Sequence, residues 1–176
     1  DFINKHDVLF LSGGGLFLYD TFPNQVSDWQ WGISSELLDQ ISIPIVVYAL
    51  GYNKFRKQRD FTESFDRTVN KLIAKAKFFS LRNSGSTQVI RSHVDKKNHE
   101  KINLNFCPTM ILNEKFQFKH ENNTDVGFVL AGDRLENRHE DLDEFINHIS
   151  KFVEYLKKKG IRTITIGRMF PLFLFS

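Results

Sequence analysis

Short apolar runs that stop at glycine constrain this chain more than any other feature. Asp7-Val-Leu-Phe-Leu11 runs into Ser12-Gly13-Gly14-Gly15, and Ile45-Val-Val-Tyr-Ala-Leu50 lies between Pro44 and Gly51. An apolar run without alternation buries both of its faces, the habit of a strand inside a parallel sheet. Phe78–Leu81, Ile102–Phe106, Val126–Leu130 and Ile161–Ile166 supply further candidate strands.

The segments between these runs carry the helical period. Phe61, Phe65, Val69, Leu72, Ile73 and Ala76 recur at spacings that share one helix face. Asp60 followed by Glu63 reads as a capping-box start for that helix. Leu142 to Lys158 gives the clearest helix. Leu142, Phe145, Ile146, Ile149, Phe152, Val153 and Leu156 form its apolar stripe, acids crowd its first turn, and Lys157–Lys159 fill its last before Gly160. Shorter helices are expected near Ser34 and near Ser86, with Ser84 or Ser86 as the cap of the second.

Strands alternating with helices predict right-handed crossovers and an α/β, Rossmann-like, mainly parallel sheet with flanking helices. Residues 1–113 read as a Rossmann-like domain lacking its first elements, and residues 114–125 (EKFQFKHENNTD) as a polar linker. Residues 126–176 read as the incomplete start of a second Rossmann-like domain, in a GT-B-like arrangement.

Composition narrows the functional classes. With 41% hydrophobic residues and 14% aromatics, the 176-residue chain can bury a core and is not globally disordered. Its 24 Lys+Arg and 21 Asp+Glu are spread along the sequence, with no basic tail of the kind that binds nucleic acid. Cys107 is the only cysteine, which rules out an intrachain disulfide and favours a reducing compartment. The opening lacks the basic start and apolar run of a signal peptide, and Met169–Phe175 is far shorter than the roughly 20 residues of a membrane span. Both ends read as those of a fragment. The histidines are too scattered to suggest a metal site, and Asp141-Leu142-Asp143 is better read as a helix start than as a metal-binding Asp-x-Asp.

Ligands of open parallel sheets sit beyond the carboxyl ends of the strands. Gly13, Gly14 and Gly15 follow the first run there, where consecutive backbone N–H groups can turn toward an anion, or where the chain simply turns tightly. The spacing is neither G-x-G-x-x-G nor a P-loop, so dinucleotide and ATP binding are not supported. Gly51-Tyr52-Asn53 follows the second run ahead of Lys54, Arg56, Lys57 and Arg59, an arrangement suited to an anionic or sugar-like ligand or to a solvated loop. Arg82, after the third run, offers a bidentate fork to a carboxylate or phosphate. Asp133 and Arg134 follow the fifth and either pair with each other or face a cleft. Cys107 reads as a core thiol.

In this order, DVLFLSGGG, PIVVYALGYNKFR, FFSLRNSGS, CPTMIL and VGFVLAGDR resemble the polysaccharide pyruvyl transferase family, from about Asp7 to Arg134. That resemblance implies two Rossmann-like domains, as in GT-B glycosyltransferases, with the active site between them. It implies transfer from phosphoenolpyruvate to a sugar hydroxyl, forming a pyruvate ketal during cell-surface polysaccharide biosynthesis. The partners it implies are phosphoenolpyruvate and a glycan or lipid-linked saccharide, with no cofactor beyond the donor. The implied location is cytoplasmic, or peripheral at the inner face of the membrane.

By the same resemblance, Gly13–Gly15 border the substrate cleft, Tyr52 and Asn53 line its first-domain wall, and Arg82 and Ser86 match the family's arginine–serine turn. Asp133 and Arg134 open the second domain's share. Cys107-Pro108 stands where many relatives have an acidic residue before the proline. The family's early Asn/Gly/Asp segment and its later histidine-containing motif are not in this sequence. A general acid and base are needed for the ketal, and no residue here is identified for either role. Two other classes fit the same residues: a non-catalytic fragment that binds a sugar or phosphate, and a GT-B glycosyltransferase using a nucleotide sugar.

Overall fold

A computed structural model describes residues 2–19, 25–116, 125–131 and 135–168. The chain divides into two compact units, Asp1–Lys54 with Gln58–Gln117, and Phe55–Lys57 with Phe118–Ser176.

The first unit is a parallel sheet of β1 (Leu9–Ser12), β2 (Ile45–Leu50), β3 (Phe78–Leu81) and β4 (Ile102–Leu104), hydrogen-bonded in that order. Helices α1 (Ser35–Gln40), α2 (Glu63–Lys75) and α3 (Ser84–His93) make the crossovers, and α4 (Leu112–Phe116) follows β4. The Rossmann-like expectation holds. Ile45, Val47, Phe79, Leu81 and Ile102 line the buried face with Phe65, Val69, Leu72 and Ile73 of α2. Phe17 and Trp29 complete this core, with ring centroids 4.8 Å apart. Each such side chain contributes about 1.5–3 kcal/mol on burial. The opposite face carries a row of rings: Phe10 stacks on Tyr48 at 6.2 Å, and Tyr48 on Phe78 at 6.4 Å.

Local chemistry sets the helix ends. Ser34 caps α1 by accepting the Leu37 N–H at 3.1 Å. At the other end of α1, Lys75 of α2 donates to the carbonyls of Leu38, Asp39 and Ile41, covering groups that a helix end leaves unpaired. The cap of α2 is Thr62 rather than Asp60, its hydroxyl accepting the Ser64 N–H at 3.2 Å. Asp60 instead pairs with Lys54. Thr62 is in turn fixed by Asp28, whose carboxylate accepts the Thr62 N–H at 2.8 Å. For α3 the cap is Asn83, not either serine.

The second unit pairs β5 (Val126–Ala131) in parallel with β6 (Thr163–Arg168). Helices α5 (Leu135–Arg138) and α6 (Leu142–Lys158) connect them. Asp141 caps α6 by accepting the Glu144 N–H at 2.9 Å, as a helix-start carboxylate should. Gly160 adopts φ 73 just beyond Lys159, so a left-handed residue ends the helix. Glu114–Phe116, which open the polar stretch, are helical, because α4 continues the preceding 3-10 turn Pro108–Ile111.

Candidate functional site

The carboxyl ends of β1, β2 and β3 are stitched together by the loops that leave them. The Gly51 N–H donates to Gly14 O at 3.1 Å, the Phe17 N–H to Gly51 O at 3.2 Å, and the Asn53 N–H to Phe17 O at 3.0 Å. Two of the glycines serve the turn itself: Gly13 and Gly14 have φ 87 and 55, in the region open to glycine at little cost. Gly15 serves space. A Cβ there would overlap the Asn53 amide and lie 3.4 Å from Arg82 Nη2.

Gly51 serves space as well, because a Cβ on it would lie 2.6 Å from Arg82 Nη2 and 2.5 Å from its Cζ. The guanidinium therefore lies directly over the Gly51 backbone, with Asn53 and Gly15 beside it. Among the residues singled out from sequence, Gly15, Asn53 and Arg82 converge here. Gly51 joins them, and its position just after a strand was the only sequence signal for that. Gly51→Ala is expected to lower the affinity for a small anion about tenfold, the cost of displacing one charge-assisted contact. Calorimetric titration with inorganic phosphate checks this.

Tyr52 and Ser86 play a different part. Ser86 is buried, and its hydroxyl accepts the Tyr52 N–H at 2.9 Å. Its own N–H donates to the Asn83 side chain at 2.7 Å, so Ser86 ties the start of α3 to the Gly51–Asn53 loop. The Tyr52 ring packs edge-on against Phe61 at 6.0 Å, and burial pushes its phenol above the ordinary value. Of the basic stretch, Lys54 is engaged by Asp60, Arg56 by Glu140, and Arg59 lies over the Tyr19 ring at 4.5 Å. Asp133 and Arg134 lie outside the described residues.

Cys107 is partly exposed, not a core thiol, because β4 ends at Leu104 and the chain then turns along the surface. The Thr109 hydroxyl donates to its sulfur at 3.1 Å. That bond and the Thr109 backbone hold the thiol below its ordinary value, and the Arg82 charge adds to the effect. A lowered value means more thiolate at neutral pH. Thr109→Val removes the first cause, so Cys107 should then react more slowly with iodoacetamide at pH 7, as followed by mass spectrometry.

Among the described residues, further cavities lie away from this edge. One of about 360 Å³ sits at the amino ends of the strands, lined by Lys75, Lys77 and Lys101 among others. Lys75 and Lys101 already donate to backbone carbonyls there, which occupies N–H donors that a ligand would need. Another, of about 470 Å³, lies over α2 beside Arg67, Lys71 and Asp95. Among the described residues, no three His, Cys, Asp or Glu side chains gather as metal ligands, and no helix is long and apolar enough to cross a membrane.

In an open parallel α/β sheet the ligand crevice lies beyond the carboxyl ends of the strands, the edge at which Arg82, Gly15, Gly51 and Asn53 meet. The model of the polysaccharide pyruvyl transferase family matches residues 1–168, and the chain belongs to this family of transferases. Comparison with curated proteins and with solved structures finds no match.

Proposed function

We propose that this chain binds phosphoenolpyruvate as the donor for pyruvylation of a saccharide, with Arg82 as its principal anion ligand. The observation that carries this reading is the convergence of Arg82, Asn53, Gly15 and Gly51 at the strand ends. Phosphoenolpyruvate presents a carboxylate and a phosphate, and a planar guanidinium matches either with two parallel hydrogen bonds. The Asn53 amide can donate beside it, and the Gly15 and Gly51 positions let the ligand approach the backbone.

In the reaction, one acceptor hydroxyl adds to C2 of the donor while C3 gains a proton. A second hydroxyl then displaces phosphate and closes the ketal. The two hydroxyl protons end on the new methyl group and on the departing phosphate. Arg82 would hold the anionic groups through both steps and stabilise the charge that collects on the leaving phosphate. The acceptor would be a glycan or lipid-linked saccharide, and no cofactor beyond the donor is required. Phosphoenolpyruvate as donor places the reaction in the cytoplasm, free or peripheral at the inner face of the membrane. Gly13, Gly14 and Tyr52 border the same edge.

The test is calorimetric titration of the chain with phosphoenolpyruvate and, separately, with nucleoside diphosphate sugars. Saturable binding of phosphoenolpyruvate alone is expected. Binding of a nucleotide sugar without any response to phosphoenolpyruvate would replace this reading with a glycosyltransferase.

A further inference from the structure

β2 carries an irregularity just before the site. Val47 pairs with Phe79 and Leu50 with Leu81, so β2 holds one residue more than β3 over this stretch. The extra residue is a β-bulge, a device that turns side chains to new directions beside functional sites. Within it Ala49 adopts φ 51, a conformation disfavoured for any residue with a Cβ. Ala49 is buried, and a buried amide taken out of the ladder needs an acceptor. Ser80, fully buried on β3, supplies one: its Oγ accepts the Ala49 N–H at 3.0 Å and donates toward Val47 O at 3.5 Å.

The bulge decides which residue stands beside Arg82. Side chains alternate along a strand. Leu50 and Leu81 are partners and both are fully buried, on the face shared by Val47 and Phe79. The next residues, Gly51 and Arg82, therefore turn together to the other face, with the Arg82 N–H donating to Leu50 O at 2.9 Å. Without the extra residue the register set at Val47 and Phe79 would bring Leu50 beside Arg82. Its side chain would then fill the space that the guanidinium occupies.

We propose that Ser80 is a positioning residue for the anion site. By holding the Ala49 amide it keeps the bulge that sets Gly51, and not Leu50, against Arg82. The proposal rests on the reading of this edge as an anion site, and Ser80 acts through the backbone without touching the ligand.

The test uses the full chain with Ser80→Ala, Ala49→Gly and the double variant. Two quantities are read: the Arg82 Nε–H resonance without ligand, and the dissociation constant for phosphoenolpyruvate. Ser80→Ala is expected to move the resonance and weaken binding about tenfold. Ala49→Gly should leave both near the parent values, because glycine adopts positive φ freely. In the double variant glycine should restore most of what Ser80→Ala lost, a rescue that a purely packing role for Ser80 would not give.

An unmoved resonance with parent affinity in Ser80→Ala, or no recovery in the double variant, overturns the proposal. Should Ser80→Ala not fold, the double variant alone decides, by whether its Arg82 resonance matches the parent. If the parent chain does not bind phosphoenolpyruvate, the donor reading fails, and the resonance still decides on Ser80.

Discussion

Replacing Arg82 by alanine is expected to weaken phosphoenolpyruvate binding about thirtyfold while the melting temperature moves by at most a few degrees. A hydrogen bond to a charged partner is worth about 1.5–3 kcal/mol, which converts to roughly ten- to a hundredfold in affinity. The fold should tolerate the loss, because the backbone of Arg82 and not its side chain joins the sheet, through the bond to Leu50 O. Its guanidinium rests on Gly51, outside the buried cluster. Arg82→Lys keeps the charge and loses the planar fork, so its affinity should fall between the two. Calorimetric titration of the three proteins at one salt concentration provides the comparison. Parent affinity in Arg82→Ala would remove Arg82 from the site and leave the anion reading without its main ligand.

The larger effect on stability is expected from Phe65→Ala. Phe65 is fully buried on α2 and stacks on Phe61 with centroids 3.6 Å apart. It meets the edge of Phe17 at 5.9 Å and of His93 at 5.2 Å. Removing it leaves a cavity under both the helix layer and the sheet, at a cost of about 3–5 kcal/mol. That is a large part of the about 5–15 kcal/mol by which a domain is stable at all. Urea unfolding followed by circular dichroism should show the midpoint falling at nearly constant slope. A loss under about 1 kcal/mol would mean that the ring is not packed as described.

The sequence was most informative where burial alone decides structure. Apolar runs bounded by glycine located β1 and β2, a further short apolar run located β3, and the stripe and charges of α6 gave its ends as Leu142 and Lys158. Capping was less legible, since the winning partner can come from far along the chain. Thr62 starts α2 because Asp28, 34 residues earlier, grips it, while the apparent capping carboxylate of Asp60 is drawn to Lys54. Likewise Asn83 outcompetes Ser84 and Ser86 at α3 because its carbonyl reaches the Ser86 N–H, leaving the Ser86 hydroxyl for Tyr52.

For the site, Arg82 and Asn53 could be picked out as polar residues just past strands. The empty side of Gly51 could not, because it depends on the register of β2 against β3, and register is a tertiary property. Cys107 was misjudged for a related reason. With no partner motif it read as a core thiol, but Phe106 and Met110 beside it are themselves exposed.

The order β1-β2-β3-β4 has a consequence for how the protein is made. Each of β2, β3 and β4 pairs with the strand synthesised just before it, so a partner is already made when it leaves the ribosome. The crossover helix preceding each new strand can fold back onto apolar surface already laid down. A sheet of this kind can be assembled during translation, one strand and helix at a time, and keeps its growing edge unpaired for only the time needed to synthesise one crossover.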